Sequence, residues 1–234
     1  MPLPRINHPI TTIKLPASGR EIKVRPFLVK DEKILLHAKA TNNRADMLQA
    51  IKQIVNNCIV TEDFDIDQLP LVDLEYLFIR LRAQSVNNIC VVSYLDGEDQ
   101  KSYDFEIDLN KIEVKFFEDC NKVIPVNSNI ELHMKFPPAA LYDDTVFTSE
   151  DQEMEYFITK TLDKVVQGEQ VWPINLENEA ETLAFIHDLP AKTYEGIRAF
   201  WAKMPTIYHE IKYTNSLGNE RKVVLSTLDD FFLF

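Results

Sequence analysis

The stretch VVSYLDGEDQKSYDFEI, Val91–Ile107, carries the reading of the fold class. Two β-rich runs, Ile89 to Leu95 and Tyr103 to Ile107, flank Asp96-Gly97, a dipeptide that accepts the positive φ of a hairpin turn. The same order of strand, glycine-bearing turn, charged residues and strand recurs in IKLPASGREIKV (Ile13–Val24) and IKYTNSLGNERKVVL (Ile211–Leu225). A pattern this loose suits hairpins in general as well as a true internal repeat. Under either reading the strands come in adjacent pairs, without the helix between strands that a parallel sheet needs. The expected class is therefore α+β, with antiparallel hairpins, a tandem three-helix segment, a second helical segment and no doubly wound parallel sheet.

Upstream of this hairpin the apolar period changes to that of helices. Ile34, Leu35 and Ala38 share a side in Lys30 to Thr41; Met47, Ile51, Ile54, Val55 and Cys58 do so in Arg44 to Cys58. A third helix, Leu71 to Val86, turns Leu74, Leu77, Phe78 and Leu81 inward. Between the second and third lies VTEDFDIDQLPLVDLEYLF (Val60–Phe78), whose Asp63, Asp65 and Asp67 alternate as a calcium loop begins. Such a loop needs glycine at position 6 and glutamate at position 12, where this chain has Gln68 and Leu74. The segment reads instead as a connector: Phe64, Ile66 and Leu69 dock, the acids face water, and Pro70 sits at the start of the helix.

Downstream, Ile130 to Phe136 reads as a strand, and Ile112 to Val123 fits either state. Ser149 to Gln167 reads as one helix on a stripe of Met154, Phe157, Ile158, Leu162 and Val165, closed by Gly168. Asn178 and Glu181 form a capping-box pattern for a helix to Leu189, and Ala191 to Lys203 gives another. The period changes mark three segments, 1–87, 88–138 and 139–234, which pack separately or as one unit.

Composition narrows the chemistry. A net charge of −12 opposes a general nucleic-acid or anionic-membrane binder and favours basic protein partners. The three cysteines, Cys58, Cys90 and Cys120, are too far apart for a zinc knuckle or a disulfide framework, and no run is long enough to span a bilayer. The five histidines are scattered, and the five glycines form no phosphate cradle or nucleophile elbow. No catalytic, cofactor or metal residue is assigned. Arg80 and Arg82 are expected to pair with carboxylates. The apolar end, Phe231, Phe232, Leu233 and Phe234, is either tucked against the fold or presented to a partner.

The succession REIKVRPFLVKDEKILLHAK, IKQIVNNCI and DIDQLPLVDLEYLFIRLRAQSV resembles the baseplate hub subunit family of T-even-type contractile-tailed phages. The likeness is dense over residues 20–90 and returns in the terminal LSTLDDFF. It falls on Arg25, Pro26, Glu32, Lys33, Lys52, Gln53, Asn56, Cys58, Asp65, Leu69, Pro70, Glu75, Arg80, Arg82 and Ser85. The resemblance implies a non-enzymatic hub structural or assembly protein, in the virion tail baseplate or in the host cytoplasm during assembly. Its implied partners are other baseplate hub, tail-tube or tape-measure proteins, with oligomer formation inside a symmetric assembly. A transient assembly chaperone absent from the virion is the second reading, and a small hydrolase or metal-dependent enzyme with an unrecognised site the third. Some relatives carry cysteine pairs that suggest a zinc ribbon; single Cys90 offers no such pair, so no zinc is carried over.

Overall fold

The computed structural model describes residues 6–41, 44–142, 149–174 and 179–232. In chain order its strands are β1 (Thr11–Lys14), β2 (Glu21–Val24), β3 (Ile89–Leu95), β4 (Ser102–Asp108), β5 (Glu113–Lys115), β6 (Val123–Pro125), β7 (Ile130–Met134), β8 (Leu162–Gln167), β9 (Gln170–Pro173), β10 (Thr206–Thr214) and β11 (Glu220–Leu225). The helices are α1 (Val29–Thr41), α2 (Arg44–Cys58), α3 (Leu71–Ser85), α4 (Glu150–Thr161), α5 (Glu179–His187), α6 (Ala191–Ala202) and α7 (Leu228–Phe232). Strand pairing among the described residues is antiparallel throughout, in the orders β1-β2, β3-β4, β11-β10-β5 and β6-β7-β8-β9. The protein is α+β. Its compact units are cut differently from the three sequence segments: one joins Met1–Lys115 to Thr206–Phe234, the other is Phe116–Pro205.

In the first unit, Ile13 pairs with Ile22 across the β1-β2 hairpin, and Ile13, Leu15, Ile22 and Val24 are buried while the alternate positions face out. Gly19 closes the turn at φ +69°, a conformation that costs a residue with a Cβ. After α2 the chain runs back beside β2, with Val24 bridged to Ile59 and Val60 N donating to Lys23 O at 2.8 Å. The acidic connector thus begins as an extension of the hairpin. Beyond it Asp63, Asp65 and Asp67 are exposed, Phe64 and Ile66 half-buried and Leu69 fully buried, as the sequence pattern predicts. Asp65 Oδ1 accepts from Asp67 N at 2.9 Å, and Asp67 pairs with Lys52 Nζ at 2.7 Å.

Helix α3 is the centre of this unit. Val72, Leu74, Leu77, Phe78, Ile79 and Leu81 are all buried, and the helix meets α2 as well as β5 and β10. Full burial of each Leu or Phe is worth about 1.5–3 kcal/mol, so the broad apolar face of α3 belongs inside. Burial also takes in Asp73 of its first turn, fully shielded from solvent. Its two carboxylate oxygens accept Ala17 N and Ser18 N, each at 2.8 Å, tying the β1-β2 turn to the helix.

The β3-β4 and β10-β11 hairpins each turn one face inward. Tyr213 of β10 lies with its ring centroid 4.9 Å from Tyr103 and 5.1 Å from Phe105 of β4. The β3-β4 connection is longer than the expected tight turn. Asp96 N donates to Lys101 O, and the left-handed residue is Gln100 (φ 57°), not Gly97.

The second unit departs from expectation at residues 162–167. Helix α4 stops at Thr161 and the chain continues as β8, so no helix runs to Gln167. Thr159 and Thr161 turn their hydroxyls back on Glu155 O and Phe157 O, which weakens helix continuation. The β-branched pair Val165-Val166 then gains more in the ladder, where Leu132 of β7 faces Val165 and Val171 of β9 faces Val166. Gly168 (φ +59°) accordingly turns the β8-β9 hairpin and caps no helix. The ambiguous stretch 112–123 resolves into β5, an irregular segment and the start of β6. Asn178 of the expected capping box lies outside the described residues.

Ile124, Leu132, Met134, Ile158, Leu162, Val165, Ile186, Ile197 and Phe200 form the core of the second unit. Helix α6 reaches β6 through Gly196, where an added Cβ would stand 2.7 Å from Ile124 Cγ2. The branched Ile124 side chain is stiff and yields little.

Two substitutions test this packing. Asp73→Ala orphans the two loop amides and is expected to cost about 2–4 kcal/mol, read from the chemical denaturation midpoint; a change below about 0.5 kcal/mol would remove Asp73 as the tie. Gly196→Ala, which would stabilise an exposed helix by up to about 1 kcal/mol, is expected here to lower stability by about 1–3 kcal/mol. A more stable Gly196→Ala protein in the same assay contradicts the close contact.

Candidate interaction surfaces

The residues singled out in the sequence are brought together largely as an internal framework. Arg25 leaves β2 and donates from Nη1 to Asp31 Oδ2 at 2.7 Å and to Pro26 O at 2.8 Å. Asp31, fully buried, also accepts Leu28 N at the start of α1 (2.9 Å) and Asn57 Nδ2 near the end of α2 (3.3 Å). Burial pushes the Asp31 carboxyl up, but the Arg25 hydrogen bond and the Leu28 amide outweigh it and hold the carboxyl below its ordinary value. Cys58 Sγ sits 3.6 Å from the same guanidinium, and burial pushes its thiol up to about 11. Cys58 is fully buried and packs in the core at the end of α2.

The other motif positions continue this framework. Ser85 Oγ accepts Phe27 N at 2.8 Å and donates to Leu81 O at 2.6 Å, fastening the end of α3 to the Arg25-Pro26-Phe27 segment. Leu69 is buried and Pro70 immediately precedes α3. Glu75 and Arg82 are half-buried on α3. Arg80 does not pair with a carboxylate as expected. Its guanidinium donates to Leu109 O (3.5 Å), Asn110 O (2.6 Å) and Ile112 O (3.2 Å), and stacks over Tyr76. The backbone that follows β4 supplies three carbonyls in the place of an acid. Glu32, Lys33, Gln53, Asn56 and Asp65 are exposed.

A second polar cluster, unforeseen in the sequence, locks the two later hairpins together. Tyr213 OH donates to Asp96 Oδ2 at 2.5 Å; Asn215 Nδ2 (2.6 Å) and Asn219 Nδ2 (2.8 Å) donate to Glu98. Ser216 donates from N (3.0 Å) and Oγ (2.8 Å) to Asp99, and Arg221 Nε lies 3.3 Å from Asp96. The hydrogen bond from Tyr213, then that from Glu98 N, hold the Asp96 carboxyl below its usual value. For Asp99, burial raises the pKa, yet bonds from Tyr103, Ser216 and Lys101 N carry it far below. Burial and the bond to Asp96 push Tyr213 up to about 12.

With those inner faces engaged, the outer faces differ in chemistry. On β10-β11, Glu210 takes Lys222 and Lys212 (3.0 Å), and the Lys222 contact leads the effects that lower its carboxyl to about 2. On β3-β4, the outward positions of β3 are Ile89 (36 % exposed), Val91 (59 %), Ser93 and Leu95 (62 %). They lie opposite Asp108, Glu106, Asp104 and Ser102 of β4. Among the described residues no Lys or Arg pairs with Asp104 or Glu106. This two-faced apolar strand was visible in ICVVSYL, which is apolar at odd and even positions alike.

The C-terminal segment is tied down as far as it is described. Asp230 accepts Ser226 N (2.8 Å) and Thr227 N (2.9 Å), a carboxylate reaching back to the helix start, and Phe231 is buried at 2 % exposure. Helix α7 meets β3 and includes Phe232; Leu233 and Phe234 lie outside the described residues. Among the described residues no His, Cys, Asp and Glu cluster could hold a metal ion, and no helix is long and apolar enough to cross a membrane.

Arg25 and Arg80 of the motif thus brace this α+β chain from within, and the outer face of β3-β4 is a mixed apolar and acidic sheet surface. The chain matches the family model described as T4 bacteriophage base plate protein over residues 8–233, and it belongs to that family. No curated protein and no solved structure matches it.

The hairpin lock makes a pH prediction. Asp96 and Asp99 have folded pKa values below those of the unfolded chain, so their contribution is complete above an ordinary carboxyl pKa of about 4 and is lost as pH falls through the lower folded values. The melting temperature is expected to stay level from about pH 7 to 5 and drop below about 4, with a shallower drop in Asp96→Asn and Asp99→Asn. An acid branch of identical slope in both variants would exclude these carboxylates as its source.

Proposed function

We infer that this baseplate-family chain is a non-enzymatic structural or assembly component of the baseplate hub, working through protein–protein contacts. The observation that carries the reading is the family match over nearly the whole chain. Partners are other hub, tail-tube or tape-measure proteins, met in the host cytoplasm during assembly and retained in the virion tail. The terminal Phe232, Leu233 and Phe234 are proposed to add a contact beyond the anchor that Phe231 makes. A negatively charged chain with an apolar sheet face meets basic, partly apolar surfaces, where charge sets register and burial sets lifetime.

Quantitative mass spectrometry of purified phage particles tests the assignment. A fixed integer ratio of this chain to a known baseplate subunit is expected. Its absence from particles, with presence in tail-assembly intermediates, would replace the structural role by that of a transient assembly chaperone.

A further inference from the structure

We propose that the outer face of the β3-β4 hairpin is the docking site for a basic amphipathic helix of another protein. The proposal rests on the reading that the chain works through protein contacts, and it names the chemistry of one partner. Val91 and Leu95 stand exposed on one strand, while Glu106 and Asp104 stand exposed on the next, and Val91 faces Glu106 directly in the register. Adjacent strands lie about 4.8 Å apart, so the face presents an aliphatic row beside a parallel acidic row. A seven-residue strand is about 23 Å long, which equals about 15 residues of helix, and a helix about 10 Å across covers two strands.

The charge pattern selects the occupant. Covering the face with an apolar helix strips water from Asp104 and Glu106, and no Lys or Arg among the described residues compensates them. The partner must therefore bring Lys or Arg beside its apolar stripe. The outer face of β10-β11 makes the contrast, since there Lys212 and Lys222 already neutralise Glu210. A second copy of the chain does not fit. Packing the face on itself sets acids against acids, or aliphatic residues against acids, and both arrangements are unfavourable. An anionic lipid surface is repelled by the same carboxylates.

The test uses the full chain and two synthetic 18-residue helical peptides, one with a Leu stripe flanked by Lys and one with Glu at each Lys position. Binding of the Lys peptide is expected, with amide NMR shifts concentrated in 89–95 and 102–108. Val91→Ser with Leu95→Ser should weaken it about tenfold or more. Asp104→Lys with Glu106→Lys should reverse the preference toward the Glu peptide. Dispersed amide spectra establish that both double variants fold, since all four side chains concerned are exposed. Equal binding of both peptides, shifts centred elsewhere, or a dimer of the chain that dissociates on Val91→Ser would each overturn the proposal. Absence of the chain from virions would remove the structural hub role and leave this binding result standing.

Discussion

The larger unit is organised by the burial of the apolar face of α3. A helix enclosed by α2, β5 and β10 contributes its apolar side chains to the core, but it also carries polar groups inside. Each such group left unmatched costs about 1–3 kcal/mol, comparable with the gain from fully burying one Leu or Phe. Asp73 is matched by two amides of the β1-β2 turn, Ser85 by the amide of Phe27, and Arg80 by carbonyls beyond β4. The helix therefore dictates where three separate segments lie. Its polar contacts are the coordinates by which the loops find their places.

Two of the family-motif residues, Arg25 and Cys58, are drawn into a second such meeting point. Arg25, Asp31, Asn57 and Cys58 join β2, α1 and α2 at one point, with Asp31 fully buried and Arg25 half-buried. A buried pair of this kind adds little net stability against an apolar replacement, yet removing one partner strands the other. Such residues are constrained by the contacts they make inside the fold. The surfaces free to recognise other proteins are made of ordinary side chains, a few Val and Leu beside a few acids.

Local periodicity made the hairpins, α2 and α3 legible, because each buries one regular set of positions. It misled at 162–167, where Leu162 and Val165 satisfy a helical stripe and a strand alike, and only the neighbouring β7 and β9 decide between them. The turn after β3 was read from Asp96-Gly97, but Asp96 is drawn inward to Tyr213, and the left-handed position moves to Gln100. The polar clusters were not legible at all. Asp73 meets Ala17, and Asp96 meets Tyr213, across sequence distances on which no local pattern reports. The apolar and acidic face lay half in view, in the apolar residues at both odd and even positions of β3, but its exposure depended on which side of that strand the later hairpin came to cover.

The insertion of the second unit between β5 and β10 has a consequence for biosynthesis. Thr206 pairs with Lys115, so the chain leaves one sheet and rejoins it at the neighbouring rung only after residues 116–205 have been made. The ribosome delivers β3 and β4 long before the strands that cover their inner tyrosines and aspartates. During that interval a nascent chain carries an uncovered aromatic ribbon, while the inserted unit has all of its own segments in hand and can close first. The order of completion is thus the reverse of the order of initiation, and the first unit to be started is the last to be sealed.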